Sequence, residues 1–250
     1  MNSGADVQQK KNLSRTANVV KRYRTYTDWY KTVLPFNRLF DRPTTLHTRN
    51  GFAVRVRSVF ARDLTVVECV LVDGEYPFET FGLPPEPVVF DLGANIGTFS
   101  MLVHRAYPNA HIIAYEPDGE NFSLLQANAR FAELHREAVA GKTGMVNFDA
   151  GGFPDALHIA PEGRTTVMAR SLADVVGEKH VDLLKVDIEG AERELLEMAD
   201  SAVFSRIDRI IMETHGWDDW SEALLGRYGY DTQRLPADLG PNRLIYGERK

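Results

Sequence analysis

From Val88 onward the chain alternates short runs of Val, Ile, Leu and Phe with segments of helical spacing, and each of four runs brings in an acid at its end. The run 88–92 contains Asp91, the run 110–115 is followed by Glu116, the run 181–187 ends in Asp187, and the run 207–212 is followed by Glu213. Strands that are apolar along their length must be covered on both faces, and a parallel sheet flanked by helices provides that cover. Repeated strand–helix units therefore predict an α/β sheet with helices on both faces and right-handed crossovers. The acids gather at the carboxyl edge of that sheet, where open α/β folds bind ligands.

Helical spacing predicts helices over 96–107, from Asp118 to about 134, and over 171–176, 191–200 and 218–228, with Asp118 as an N-cap. The intervening strands are 110–115, a weak one over 137–140, 181–187, 207–212 and a final pair, 231–235 with 243–246. Residues 141–166, rich in Gly and Pro, read only as loops and short strands. Upstream, a helix is expected over 17–33, ended by Pro35. Two strands over 52–60 and 64–72, joined by 61–63, read as a hairpin. Pro77, Gly82, Pro84, Pro85 and Pro87 then mark the entry to the main domain. Two parts follow: an N-terminal arm and hairpin over 1–87, and a ligand-binding domain over 88–250.

Composition narrows the class. Hydrophobic residues make up 44% of the 250, enough for a sizeable core, so wholesale disorder is excluded. One cysteine, Cys69, excludes an intramolecular disulfide and a cysteine-rich zinc site, and it is expected in the core. No apolar run approaches the roughly 20 residues that span a bilayer, and residues 1–11 lack the apolar stretch of a secretory signal. A soluble cytoplasmic protein without membrane association is the expectation. The net charge of -6 hides an asymmetry. Residues 1–50 carry ten Lys/Arg against three acids, a balance of +7 that leaves -13 on the remainder. An acidic body repels a phosphate backbone, so no nucleic acid is expected as partner. The arm, in which basic residues alternate with Tyr23, Tyr26, Trp29 and Tyr30, reads as a lid or a homodimer contact.

The first chemical signal is the segment Asp91-Leu-Gly-Ala-Asn-Ile-Gly97. Gly93, Ala94 and Gly97 form a small-residue turn that lets backbone pass close beneath a ligand before a helix opens. A carboxylate at the strand end suits a cationic ligand better than a pyrophosphate, which favours S-adenosylmethionine over NAD. Glu116 lies 23 residues beyond Gly93, close to the spacing of an acid that accepts ribose hydroxyls, and Pro117 breaks the strand behind it. The next signal is Asp182-Leu-Leu-Lys-Val-Asp-Ile-Glu-Gly-Ala-Glu192, where Lys185, Asp187 and Glu189 alternate onto one face. Glu213 and His215 close the following strand. Asp187, Glu213 and His215 could hold Mg²⁺ or Mn²⁺, or His215 and Asp187 could form a metal-free acid/base pair.

Together these segments, with Tyr115-Glu-Pro-Asp118, resemble the FkbM-type methyltransferases over about residues 52–215. The resemblance implies a Rossmann-like class I methyltransferase fold, with a seven-stranded, mostly parallel sheet and a reversed last strand. It implies methyl transfer from S-adenosylmethionine to a hydroxyl of a sugar, polyketide or other specialised metabolite, as in antibiotic biosynthesis. An amide or carbamoyl nitrogen is the alternative acceptor, and an RNA-modifying enzyme using the basic arm is a more remote one. Carried over by position, Asp91, Gly93, Ala94, Asn95 and Gly97 would cradle the methionine part. Glu116 and Pro117 would meet the ribose, Tyr76 and Phe78 would cover the cofactor, and Ala138 and Val139 would border the adenine. Lys185, Asp187, Glu189 and His215 would face the acceptor.

Overall fold

The computed structural model describes residues 19–33, 39, 42–59, 62–77, 80–150, 157–159, 165–188, 190–214, 216–235 and 243–250. The chain divides into two units, Met1–Asp73 and Gly74–Lys250, so residues 74–87 group with the larger unit rather than with the arm.

In the first unit, residues 19–25 are helical (α1), Thr44–His47 (β1) pairs antiparallel with Ala53–Val56 (β2), and Asp63–Leu71 is a helix (α2). The helix expected over 17–33 therefore stops early. Tyr26 bridges to Thr48, and a short 3-10 turn follows over Trp29–Thr32. The hairpin expected over 52–60 and 64–72 is replaced by β1 with β2, and its second half is α2. The run Leu-Thr-Val-Val-Glu-Cys-Val-Leu has strand propensity, but Leu64, Val67, Val70 and Leu71 also recur at helical spacing and are buried together. Packing overrides the weak preference of β-branched residues. Cys69 is buried on this helix and is in no disulfide. Among the described residues, three of the arm's cations and Arg57, at the end of β2, meet acids of the same unit. Glu68, itself buried, takes Arg22 and Lys21, Asp28 takes Lys31 at 2.7 Å, and Asp63 takes Arg57 at 2.6 Å.

The second unit runs β3 (Val88–Leu92), α3 (Thr98–Ala106), β4 (His111–Tyr115), α4 (Gly119–Asn128), β5 (Glu133–His135), β6 (Ala138–Val139), β7 (Gly144–Ala150), β8 (Leu157–Ile159), β9 (Thr165–Arg170), α5 (Leu172–Val176), β10 (Leu183–Val186), α6 (Glu192–Met198), α7 (Ser201–Phe204), β11 (Arg209–Thr214), α8 (Asp218–Arg227), β12 (Tyr230–Leu235) and β13 (Arg243–Arg249). Seven of these strands form one sheet in the order β12-β13-β11-β10-β3-β4-β5. All neighbours are parallel except β13, which runs antiparallel to both β11 and β12. The predicted parallel α/β sheet with a reversed last strand is thus the one observed. One sheet face presents Phe90, Leu92, Leu184, Val186, Ile210 and Met212 to Leu195, Leu196, Phe204 and Leu225 of α6, α7 and α8. A smaller cluster of Ala94, Ala114, Leu125 and Ala129 packs α4 against the sheet.

Two expectations need correction. The helix after Asp118 ends at Asn128, and the third strand of the main sheet is β5, preceding the residues 137–140 expected to form it. Ala138–Val139 instead joins a second sheet, β6-β9-β7-β8, built largely from the segment 141–166. Among the described residues no helix is long and apolar enough to cross a membrane.

Candidate functional site

The sheet register sets the geometry at the carboxyl edge. Lys185 lies opposite Asp91 on one side and Ile211 on the other, so Asp91, Lys185, Asp187 and Glu213 share one face through the period-two alternation of strands. Asp91 is fully buried. Its Oδ2 accepts a hydrogen bond from Ser100 Oγ at 2.7 Å, and its Oδ1 lies 3.2 Å from Lys185 Nζ. The ammonium also donates to the Gly93 carbonyl at 2.7 Å and sits 3.5 Å from Asp187 Oδ2. Burial alone would lower the Lys185 pKa, but Asp91 and Asp187 outweigh it and raise it above its usual value. Lys185 is a permanent buried cation rather than a group exposed to an acceptor. The cationic partner that the sequence argued for at Asp91 is therefore a side chain of the chain itself.

Beyond β3 the backbone turns through Gly93 at φ +78, Asn95 at φ +50 and Gly97 at φ +91. The amides of Gly93 and Ala94 donate to the Tyr115 carbonyl at 3.0 and 2.9 Å, which hangs the turn on the end of β4. Gly93 is also pressed against the loop leaving β10: a Cβ there would fall inside the shell of the Asp187 carbonyl oxygen, with the carbonyl carbon at 2.8 Å. Asp187 itself is partly open, its side chain 21% exposed, and Tyr76 donates to its Oδ2 at 3.3 Å. Tyr76 stacks edge-on against Phe99 at 5.1 Å. Burial, then Asp187 and nearby acids, raise the Tyr76 pKa, so it stays a neutral donor.

Glu116 is the second buried acid. It accepts from the backbone amides of Asn95 and Asp118, each at 2.9 Å, and from the Asn121 side-chain Nδ2 at 3.3 Å. Burial raises it to about 7 in spite of these donors. Asp118 caps α4 as expected, accepting from Glu120 and Asn121. Pro117 follows Glu116 at the same edge.

The structure brings together Tyr76, Asp91, Gly93, Ala94, Asn95, Gly97, Glu116, Lys185 and Asp187 from the expected set. Phe78, Glu189 and His215 lie outside the described residues. Ala138 packs with Ala140, Val167 and Ala169 in the second sheet, and Val139 packs into the main core. Of the expected metal set, His215 lies outside the described residues. Asp187 turns an oxygen to the Lys185 ammonium, which supplies positive charge where a metal would have to bind. Among the described residues, the group with ligand atoms close enough to hold an ion is His180, Asp182 and Asp208, at the opposite edge of the sheet. Sequence reasoning missed Ser100. A small polar residue at a buried helix position, one turn beyond the glycines, was the available signal.

The family profile described as the Methyltransferase FkbM domain matches residues 91–232. Methyltransferase sdnD of Sordaria araneosa is 28% identical over 216 residues, covering 68% of this chain and 83% of that protein. The 31-O-demethyl-FK506 methyltransferase FkbM of Streptomyces tacrolimicus is 31% identical over 178 residues, covering 54% of this chain and 68% of that one. Among solved structures, a methyltransferase FkbM from Methylobacillus flagellatus KT superimposes with a TM-score of 0.52 at 19% identity over 68% of this chain. This chain spans 46% of that structure's length. The likeness is one of fold.

Proposed function

The chain belongs to the FkbM methyltransferase family, and from that premise we propose that it transfers a methyl group from S-adenosylmethionine to a hydroxyl oxygen of a small metabolite. The observation that carries this reading is the contact between Gly93 and Asp187, which joins the cofactor turn and a partly open carboxylate into one unit.

The residues fit the cofactor. Asn95 Oδ1 is buried on a left-handed backbone with no hydrogen-bond partner among the described residues, an orphaned acceptor suited to a ligand donor. Glu116, once ionised, keeps one acceptor site on Oε2, beside the Asn95 amide, that can take a ribose hydroxyl. Gly93, Asn95 and Gly97 would lie along the methionine part. The bound cofactor supplies a methyl group on a sulfonium, a carbon ready for in-line displacement.

What the chain contributes is position and a proton acceptor. The Asp187 carboxylate receives the acceptor's hydroxyl proton as the new C–O bond forms. Tyr76 and Lys185 fix one Asp187 oxygen, and Lys185, through Gly93, ties that carboxylate to the turn. The name of the Streptomyces tacrolimicus relative gives oxygen as that protein's acceptor atom, which supports oxygen here.

The test is incubation with methyl-labelled S-adenosylmethionine and a panel of hydroxylated glycosides, macrolactones and amides. Label in a base-stable ether is expected. Label confined to nitrogen would overturn the acceptor assignment, and absence of both cofactor binding and label would overturn the reading.

Glu116 sets a pH dependence. Its carboxylate, the form that accepts a ribose hydroxyl, rises from about a tenth of the population at pH 6 to about nine tenths at pH 8 around a pKa of about 7. S-adenosylhomocysteine should therefore bind about tenfold more tightly at pH 8 than at pH 6. Calorimetry on wild type and Glu116→Gln checks it. A flat profile in the variant and a sloping one in wild type is the expected result, and a flat wild-type profile contradicts it.

A further inference from the structure

The loop that carries Asp187 is held by a buried carboxylate that the catalytic argument does not use. Glu192 is the first residue of α6 and only 3% exposed. An acid in the first turn of a helix is ordinary, because the positive end of the helix dipole favours it. Glu192 does something more specific, since its side chain turns back onto the loop before the helix. Its Oε1 accepts from the Ile188 amide at 3.0 Å and from the Gly190 amide at 3.1 Å. Its Oε2 accepts from the Gly190 amide at 2.9 Å. Gly190 lies at φ +98, and a Cβ there would meet nothing within 4 Å, so the glycine serves the direction of the chain rather than the space around it. That direction brings two amides onto one carboxylate, a seat for an anion that the chain fills itself.

The Ile188 amide belongs to the same rigid peptide plane as the Asp187 carbonyl. That carbonyl is the group pressed against Gly93. One plane is therefore held from both ends, by Glu192 at its N–H and by the cofactor turn at its oxygen. On the other side of the residue, the Asp187 amide donates to the Leu92 carbonyl at 3.1 Å. A backbone fixed on both sides delivers the Asp187 carboxylate to Tyr76 and Lys185. Without Glu192 the plane is free to turn, and a reacting group misplaced by about 1 Å can cost on the order of a hundredfold in rate.

We propose that Glu192 is a positioning residue for methyl transfer: it sets the plane of the Asp187–Ile188 peptide and so aims the Asp187 carboxylate at the acceptor's hydroxyl. The inference rests on the reading of Asp187 as the proton acceptor. Glu192 touches no reactant, and its whole effect on the rate passes through Asp187.

A double-mutant cycle tests it, with labelled S-adenosylmethionine and whichever glycoside, macrolactone or amide of the panel takes the label. Glu192→Ala should lower the rate constant at saturating acceptor about a hundredfold and change the acceptor KM by no more than about threefold. Glu192→Gln keeps one oxygen for the two amides and should stay within about tenfold of wild type. In the Asp187→Asn background, Glu192→Ala should cost less than about threefold more, because nothing is left to aim. Hydrogen exchange at the Ile188 and Gly190 amides should quicken in Glu192→Ala and not in Asp187→Asn. A single thermal transition above the assay temperature certifies that each variant is folded. A hundredfold loss repeated in the Asp187→Asn background, or a Glu192→Ala rate within about threefold of wild type, overturns the proposal. Asp187→Asn at the wild-type rate would instead overturn the proton-acceptor reading, and the amide exchange would still decide whether Glu192 holds the loop.

Discussion

Gly93→Ala is expected to melt about 10 °C below wild type and to bind no measurable S-adenosylhomocysteine. Two separate penalties meet at this residue. At φ +78 any L side chain is strained, by roughly 1–2 kcal/mol. The added methyl would also run into the Asp187 peptide, where a rigid backbone rather than a flexible side chain is the obstacle. The turn and the β10 loop would have to separate, for a total of roughly 3–5 kcal/mol. Gly74 provides the control. Its φ is +77, but a Cβ there would meet nothing within 4 Å, so Gly74→Ala should carry the backbone penalty alone. Thermal melts of the two variants separate strain from contact. Equal melting temperatures would show that the Gly93–Asp187 packing is unimportant.

The largest effect on chemistry is expected at Asp187. Asp187→Asn keeps the size of the side chain and an oxygen that can still accept from Tyr76, but it removes the proposed proton acceptor. The rate constant at saturating acceptor should fall about a thousandfold, within the range for loss of a general base. Cofactor affinity should change by no more than about threefold, because the turn and Glu116 are untouched. Steady-state kinetics with the product-forming acceptor, read beside calorimetry of the cofactor product, separates the two. A rate within tenfold of wild type would remove Asp187 from the proton-accepting role.

Much of the fold could be read from the residues because the informative pattern was local. Runs such as 88–92 and 181–187 are apolar but for Lys185 and the charged residues at their strand ends, and their alternation with helical spacing specified the parallel sheet and its ligand edge. Glu116 was legible for the same reason, since its spacing from Gly93 is fixed by one β–α–β unit. What escaped was decided at long range. Lys185 and Asp91 are 94 residues apart, and only the strand order makes them partners, so Lys185 read as an acceptor-facing group when it is a buried counter-ion. The Tyr76–Asp187 bond spans 111 residues and was equally invisible. Asp63–Leu71 misled because a Val-rich run satisfies strand and helix patterns together, and only burial of one face decides. The second sheet was unreadable for a further reason: its strands mix Gly, Asn, Thr and exposed Met145 and Met168, which leave no period to detect.

The Asp91–Lys185 pair constrains how such a sequence can drift. Neither residue can change alone at low expense, because the survivor would be a charge in the interior with half its compensation gone, a loss of roughly 3–5 kcal/mol. Exchange of both for apolar residues of matching volume is far gentler on the fold, yet it would cut the tie from Lys185 to the Gly93 carbonyl and to Asp187. A lineage could therefore leave this pair only by crossing a valley of stability, and would arrive with its turn and its carboxylate no longer held to each other.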